Sequence, residues 1–184
     1  MPSDFLEVME KLQEYEIKFV SLKAGNHSFN YKIGKEFFEA FEHSEIEESE
    51  IIVDLDFEKA TTMLVLNFSI SGNMSGECAV CLDKINVPLN GEFRQIFKFS
   101  DELTESDDEE IAFISTSEIS LNVAPYIYEF IHLSLPTRIV HPEGECNDEV
   151  QNVLDQYILV EEDDSEASEE IDPRWEALKK LKKD

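Results

Sequence analysis

Basic residues are scarce in this 184-residue chain: 15 Lys and Arg stand against 42 Asp and Glu, leaving a formal charge of −27 at pH 7. Binding to nucleic acid draws most of its affinity from cations that neutralise phosphates, so whole-surface RNA binding is disfavoured and only a local basic element is left to do it. A field of this sign attracts basic partners instead. Cysteine is also sparse, with three residues. An odd number without a secretion signal argues against a disulfide framework and for thiols or metal ligands. No apolar run approaches the roughly 20 residues that span a bilayer, and residues 1–10 lack the basic start and apolar middle of a signal peptide. The expectation is a soluble protein of the cytoplasm with no membrane partner. Nucleophile elbow, phosphate loop and H-E-x-x-H are all missing, so no catalytic residue is assigned and no enzyme is expected.

What is present is unevenly spread. Residues 1–100 carry a charge of −9 and residues 101–184 carry −18. The organisation expected from this is a lead-in over 1–15, a single α+β domain over 16–160, a disordered acidic linker over 161–171 and a basic amphipathic helix over 172–184. The linker, EEDDSEASEE from Glu161 to Glu170, has too little apolar surface to offset the entropy of ordering. The run DELTESDDEE over 101–110 reads as an acidic loop for the same reason.

Within the domain, Ile17 to Leu22 and Ser28 to Ile33 flank the Lys23 to His27 loop and read as a hairpin. Lys35 to His43 sets Phe37, Phe38 and Phe41 against Glu36, Glu39 and Glu42, the pattern of an amphipathic helix. Alternation at Ile51, Val53, Leu55 and Phe57, then the apolar run Met63 to Ile70, predict two strands. A Pro88 to Gly91 turn precedes a strand over Phe93 to Phe99, and Ile111 to Ile114 is a short strand. Val123 to Leu133 is helical, with Ile127, Phe130 and Ile131 as core candidates and Pro125 in the first turn. Gln151 to Val160 is ambiguous. The fold class is therefore α+β, a mostly antiparallel sheet or barrel-like core with two or three packed helices and the acidic tail ending in a short helix.

Two constellations carry chemistry. Cys78 and Cys81 form a C-x-x-C turn, and His141 and Cys146 follow as H-x4-C; together they make a Cys3His set of the kind that holds Zn2+. The plain alternative is a structural turn with cysteines acting as small hydrophobes. A redox role fits badly, because Ile85, Val87 and Pro88 follow where a helix is needed. At the C-terminus, Trp175, Leu178 and Leu181 share one face beside Arg174, Lys179, Lys180, Lys182 and Lys183. These residues are candidates for contact with RNA phosphates or an acidic surface, and equally for docking on the protein's own core.

The start with GNHSFNYKI, the C-x-x-C followed by a turn and strand, YIYEFIHLSLP with Arg138 and His141 after it, and the terminal DPRWEALKKL together resemble the YceD family, in its Bacteroidetes-like branch. The resemblance runs from about Ile17 to Leu181. It implies a non-enzymatic factor supporting accumulation or processing of large-subunit ribosomal RNA. The partner implied is a basic large-subunit ribosomal protein or a precursor particle, with rRNA reached through the terminal hook. Two departures stand out: Ala79 and Val80 are neutral where the family commonly has a basic residue, and Cys146 alone remains of a second cysteine cluster. A zinc-stabilised interaction module unrelated to ribosomes is the other reading.

Overall fold

The structure is a computed structural model that describes residues 12–157, apart from 42, 43, 45, 47, 102–107 and 109. Alternation of apolar and polar residues produces the central feature. In β3 (Ser49–Lys59), Ile51, Val53, Leu55 and Phe57 are at most 1% exposed, while the residues between them face solvent. That period of two fixes one sheet face as the inner one. β2 (Gly25–Ile33), β3, β4 (Met63–Glu77) and β5 (Lys84–Phe99) form an antiparallel meander, and β6 (Ile111–Ile114) adds parallel to the end of β5. The sheet is open, in the order β2-β3-β4-β5-β6. A second, two-stranded sheet joins β1 (Glu16–Ile17) to β7 (Leu121–Asn122), more than 100 residues away in sequence.

The inner face is closed by helix α2 (Ala124–Leu133), the one-turn helix α1 (Lys35–Phe38) and the chain around Tyr15 and Phe19. Phe130 of α2 stacks on Phe93, with centroids 4.6 Å apart, and meets Phe68 edge-on at 5.1 Å. Phe41 stacks on Tyr128 at 4.3 Å. Ile127 and Ile131 are fully buried. Pro125 sits in the first turn, where no N–H is needed. Helix α3 (Asp148–Tyr157) covers the described part, 151–157, of the stretch that sequence left ambiguous. The fold is thus α+β around a mostly antiparallel sheet, as the patterning indicates. The chain divides into two compact units, 1–146 and 147–184.

Three local expectations fail. Ile17 to Leu22 is not a hairpin strand: β2 pairs with β3, and Phe19–Ser21 is a single 3-10 turn. The Lys59 ammonium holds that turn, donating to the carbonyls of Phe19 (2.7 Å) and Leu22 (2.9 Å). Pro88 to Gly91 is not a turn but lies inside β5, with Pro88 opposite Asn73. Among the described residues β5 has β4 as its one neighbour there, so a residue without an N–H is accommodated at this edge. The helix expected through His43 ends at Phe38, although Phe37 and Phe38 are buried as its pattern requires. The expectations for 161–171 and 172–184, and for most of the loop 101–110, lie outside the described residues.

Candidate metal centre

The knuckle grows out of the β4–β5 ladder. The two strands stay in register to Glu77↔Lys84, and the chain must then reverse within six residues. It does so by a tight turn closed by Leu82 N–H to the Cys78 carbonyl and Cys78 N–H to the Asp83 carbonyl, both 2.9 Å. Leu82 takes φ 63°, a left-handed conformation that side-chain-bearing residues rarely adopt. The turn leaves Cys78 and Cys81 buried, with both thiols toward one point.

Residues 139–146 supply the other half. The Ile139 side chain packs on the core, and its carbonyl accepts the Ala79 N–H at 2.8 Å. This lays the following loop beside the knuckle. Cys81 Sγ lies 3.3 Å from His141 Nδ1, Cys146 Sγ lies 3.8 Å from Cys78 Sγ and 3.9 Å from His141 Nδ1. All four donor atoms fall within 4.8 Å of one another. The S···S distance is far from the roughly 2.05 Å of a disulfide. It is instead near the edge of a tetrahedron about a zinc ion, roughly 3.7 Å for Zn–S bonds of about 2.3 Å. Three sulfurs and an imidazole nitrogen are also the right donors for that metal.

Electrostatics point the same way. The Cys81 backbone N–H, countered in part by burial and joined by the N–H of Val80 (3.4 Å), holds the Cys78 thiol well below the ordinary thiol range. Cys146 is pushed up, first by burial and then by the neighbouring Cys78 and Cys81 sulfurs. One sulfur is therefore favoured as a thiolate while another is kept from ionising by burial and, after that, by its neighbours. A divalent cation removes that conflict, since it stabilises every thiolate around it. The donor types and spacing of these residues fit a tetrahedral metal site of the kind zinc occupies.

Sequence found all four of these residues, because Cys and His are rare here and their spacing is informative. It missed the backbone N–H groups aimed at Cys78 and the left-handed Leu82, where a Gly would have signalled the turn. Arg174, Trp175, Lys179, Lys180, Lys182 and Lys183 lie outside the described residues. Of the remaining histidines, His27 bonds the Lys23 carbonyl and His132 the Tyr128 carbonyl, each at 2.8 Å, and neither joins the cluster.

Residues 66–182, well over half the chain, match the model of the family described as large ribosomal RNA subunit accumulation protein YceD. No curated protein and no solved structure matches the chain.

Proposed function

The chain belongs to the YceD family, and on that premise we propose that it is a non-enzymatic factor for accumulation of large-subunit ribosomal RNA, acting in the cytoplasm by holding a basic ribosomal protein or a precursor particle. The family match carries this reading, and the charge of −27 supports its mechanism. Ribosomal partners rich in Lys and Arg are drawn to such a field, and complexes held this way form fast and weaken with salt. Zinc at Cys78, Cys81, His141 and Cys146 is structural in this reading, since four protein donors leave no open position for a substrate or water. Arg174, Trp175 and Lys179 to Lys183 then touch rRNA or the particle.

Sedimentation of a lysate through a sucrose gradient tests this. The tagged protein should travel with large-subunit precursors at low salt and leave them as salt rises, and its deletion should lower large-subunit rRNA. A protein that stays at the top at every salt concentration, with rRNA unchanged on deletion, refutes the reading. That outcome favours the second one, a zinc-stabilised interaction module unrelated to ribosomes, which the four-donor cluster supports on its own.

A further inference from the structure

Helix α3 is amphipathic, and its apolar side is in large part exposed among the described residues. Val150, Val153, Leu154 and Tyr157 recur at i, i+3, i+4 and i+7, which places them on one face. Val153, Leu154 and Tyr157 are 52%, 38% and 78% exposed. The N-terminus is well made: the Asn147 side-chain oxygen accepts the Glu149 N–H at 3.0 Å, and Asp148 and Glu149 suit the helix dipole. The other end has no cation in its last turn. An amphipathic helix draws most of its stability from packing its apolar face rather than from propensity. A cover for the apolar face is needed.

Charge identifies the cover. From residue 139 to residue 173 there are 13 acids and not one Lys or Arg. Immediately afterwards come Arg174, Lys179, Lys180, Lys182 and Lys183, interleaved with Trp175, Leu178 and Leu181 at helical spacing. The 14 residues between Tyr157 and Asp172 span about 20 Å as a coil, more than the ~15 Å length of a ten-residue helix. A segment tethered this closely acts at millimolar effective concentration, which an external partner at micromolar levels overcomes only with much higher affinity.

We propose that the chain's own end, residues 172–184, occupies the apolar face of α3. Trp175, Leu178 and Leu181 cover Val153, Leu154 and Tyr157, and the terminal cations lie against the acids of α3 and complete the dipole at its C-terminal end. The functional meaning rests on the reading of this segment as a polyanion contact. Docked, its five cations are withheld, so α3 and a polyanion compete for one segment and weak polyanions are rejected.

Trp175 is the single tryptophan of the chain, so its fluorescence in the full-length protein reports on this segment alone. In the parent, its emission should be blue-shifted and its acrylamide quenching several-fold below that of the urea-unfolded chain, independent of protein concentration. With Val153→Gln and Leu154→Gln together, emission and quenching should move to the unfolded values while the thermal transition of the sheet stays in place. Single-stranded polyuridylate should bind the double variant about tenfold more tightly, since the binding-competent fraction rises by that factor. Full quenching in the parent, equal shielding in the double variant, or shielding lost on dilution each overturns the docking. Equal polyuridylate affinities overturn the competition. If neither chain binds polyuridylate at low salt, the polyanion reading of the terminal segment fails, while Trp175 still decides the docking.

Discussion

On the proposed zinc reading, removing the metal from Cys78, Cys81, His141 and Cys146 should free residues 139–146 and leave the sheet standing. Apart from the donor cluster, among the described residues these eight are held to the rest of the fold chiefly by the Ala79 N–H to Ile139 carbonyl bond and the partly buried Ile139 side chain. Together these are worth about 2 kcal/mol, one for the hydrogen bond and one for half an isoleucine. Fixing eight backbones costs about 8 kcal/mol at roughly 1 kcal/mol each. The shortfall of about 6 kcal/mol is within what a structural zinc supplies, about 10 kcal/mol or more. The sheet, by contrast, has its own core, with 24 buried residues among those described and no candidate metal ligand among them. Hydrogen exchange read by mass spectrometry, before and after a zinc chelator, should show protection lost at 139–146 and at Ala79, with β3 and β4 unchanged. Protein that carries stoichiometric zinc and keeps full protection of 139–146 after its removal would refute the reasoning. Global unfolding on chelation would refute it from the other side.

Gly72→Ala should cost about 3 kcal/mol or more in urea denaturation, because φ is +150° and a Cβ would press into the Glu50 carbonyl and Ile51 backbone; a loss under about 1 kcal/mol would show that β3 and β4 yield there. Phe130→Ala should cost about 4 kcal/mol, since it removes the ring that Phe93 and Phe68 both pack against, and a change within the range of an exposed substitution would contradict the assigned core. Asp101 is held below the ordinary carboxylate range, chiefly by the Thr116 hydroxyl and then its N–H, with Ser115 adding a bond. A depressed folded pKa means that its stabilisation is present above the unfolded value and lost as pH falls through the folded one. Carboxyl NMR should therefore place its midpoint below an ordinary Asp, and Thr116→Val should raise it; a midpoint at the ordinary value removes the argument.

The parts of the fold legible in sequence are those set by local periodicity. Ile51 to Phe57 alternates and is a strand; Ile127, Phe130 and Ile131 recur at helical spacing and line one buried helix face. The parts that were not legible depend on distant groups. Ile17 to Leu22 has the composition of a strand, yet Lys59 draws it into a 3-10 turn, and the strand partner of Ile17 is Leu121. Pro-Leu-Asn-Gly has turn composition, yet Pro88 is accommodated by an uncovered strand edge. Gly91 is there because a Cβ would strike Ser134 and the Phe93 ring. No window of neighbouring residues contains those facts. The metal set was legible for the opposite reason: the donor types are few, so two short motifs far apart suffice to nominate them.

The candidate metal centre and the C-terminal stretch are also distinct along the chain. Cys146 is the last residue of the unit 1–146, so a metal bound there fixes the point from which residues 147–184 depart. Freeing 139–146 lengthens that connection by eight residues. Even as plain coil, effective concentration falls only as about the three-halves power of length, so a change from 38 to 46 residues lowers the tail's reach-limited avidity by roughly a quarter. That is too small to act as a switch. Chelation should therefore abolish local order around the knuckle and leave salt-dependent partner binding nearly intact, whereas neutralising the acids should do the reverse. A metal-dependent partner affinity that changes tenfold would mean instead that the knuckle or the loop 139–146 is itself part of the contact surface.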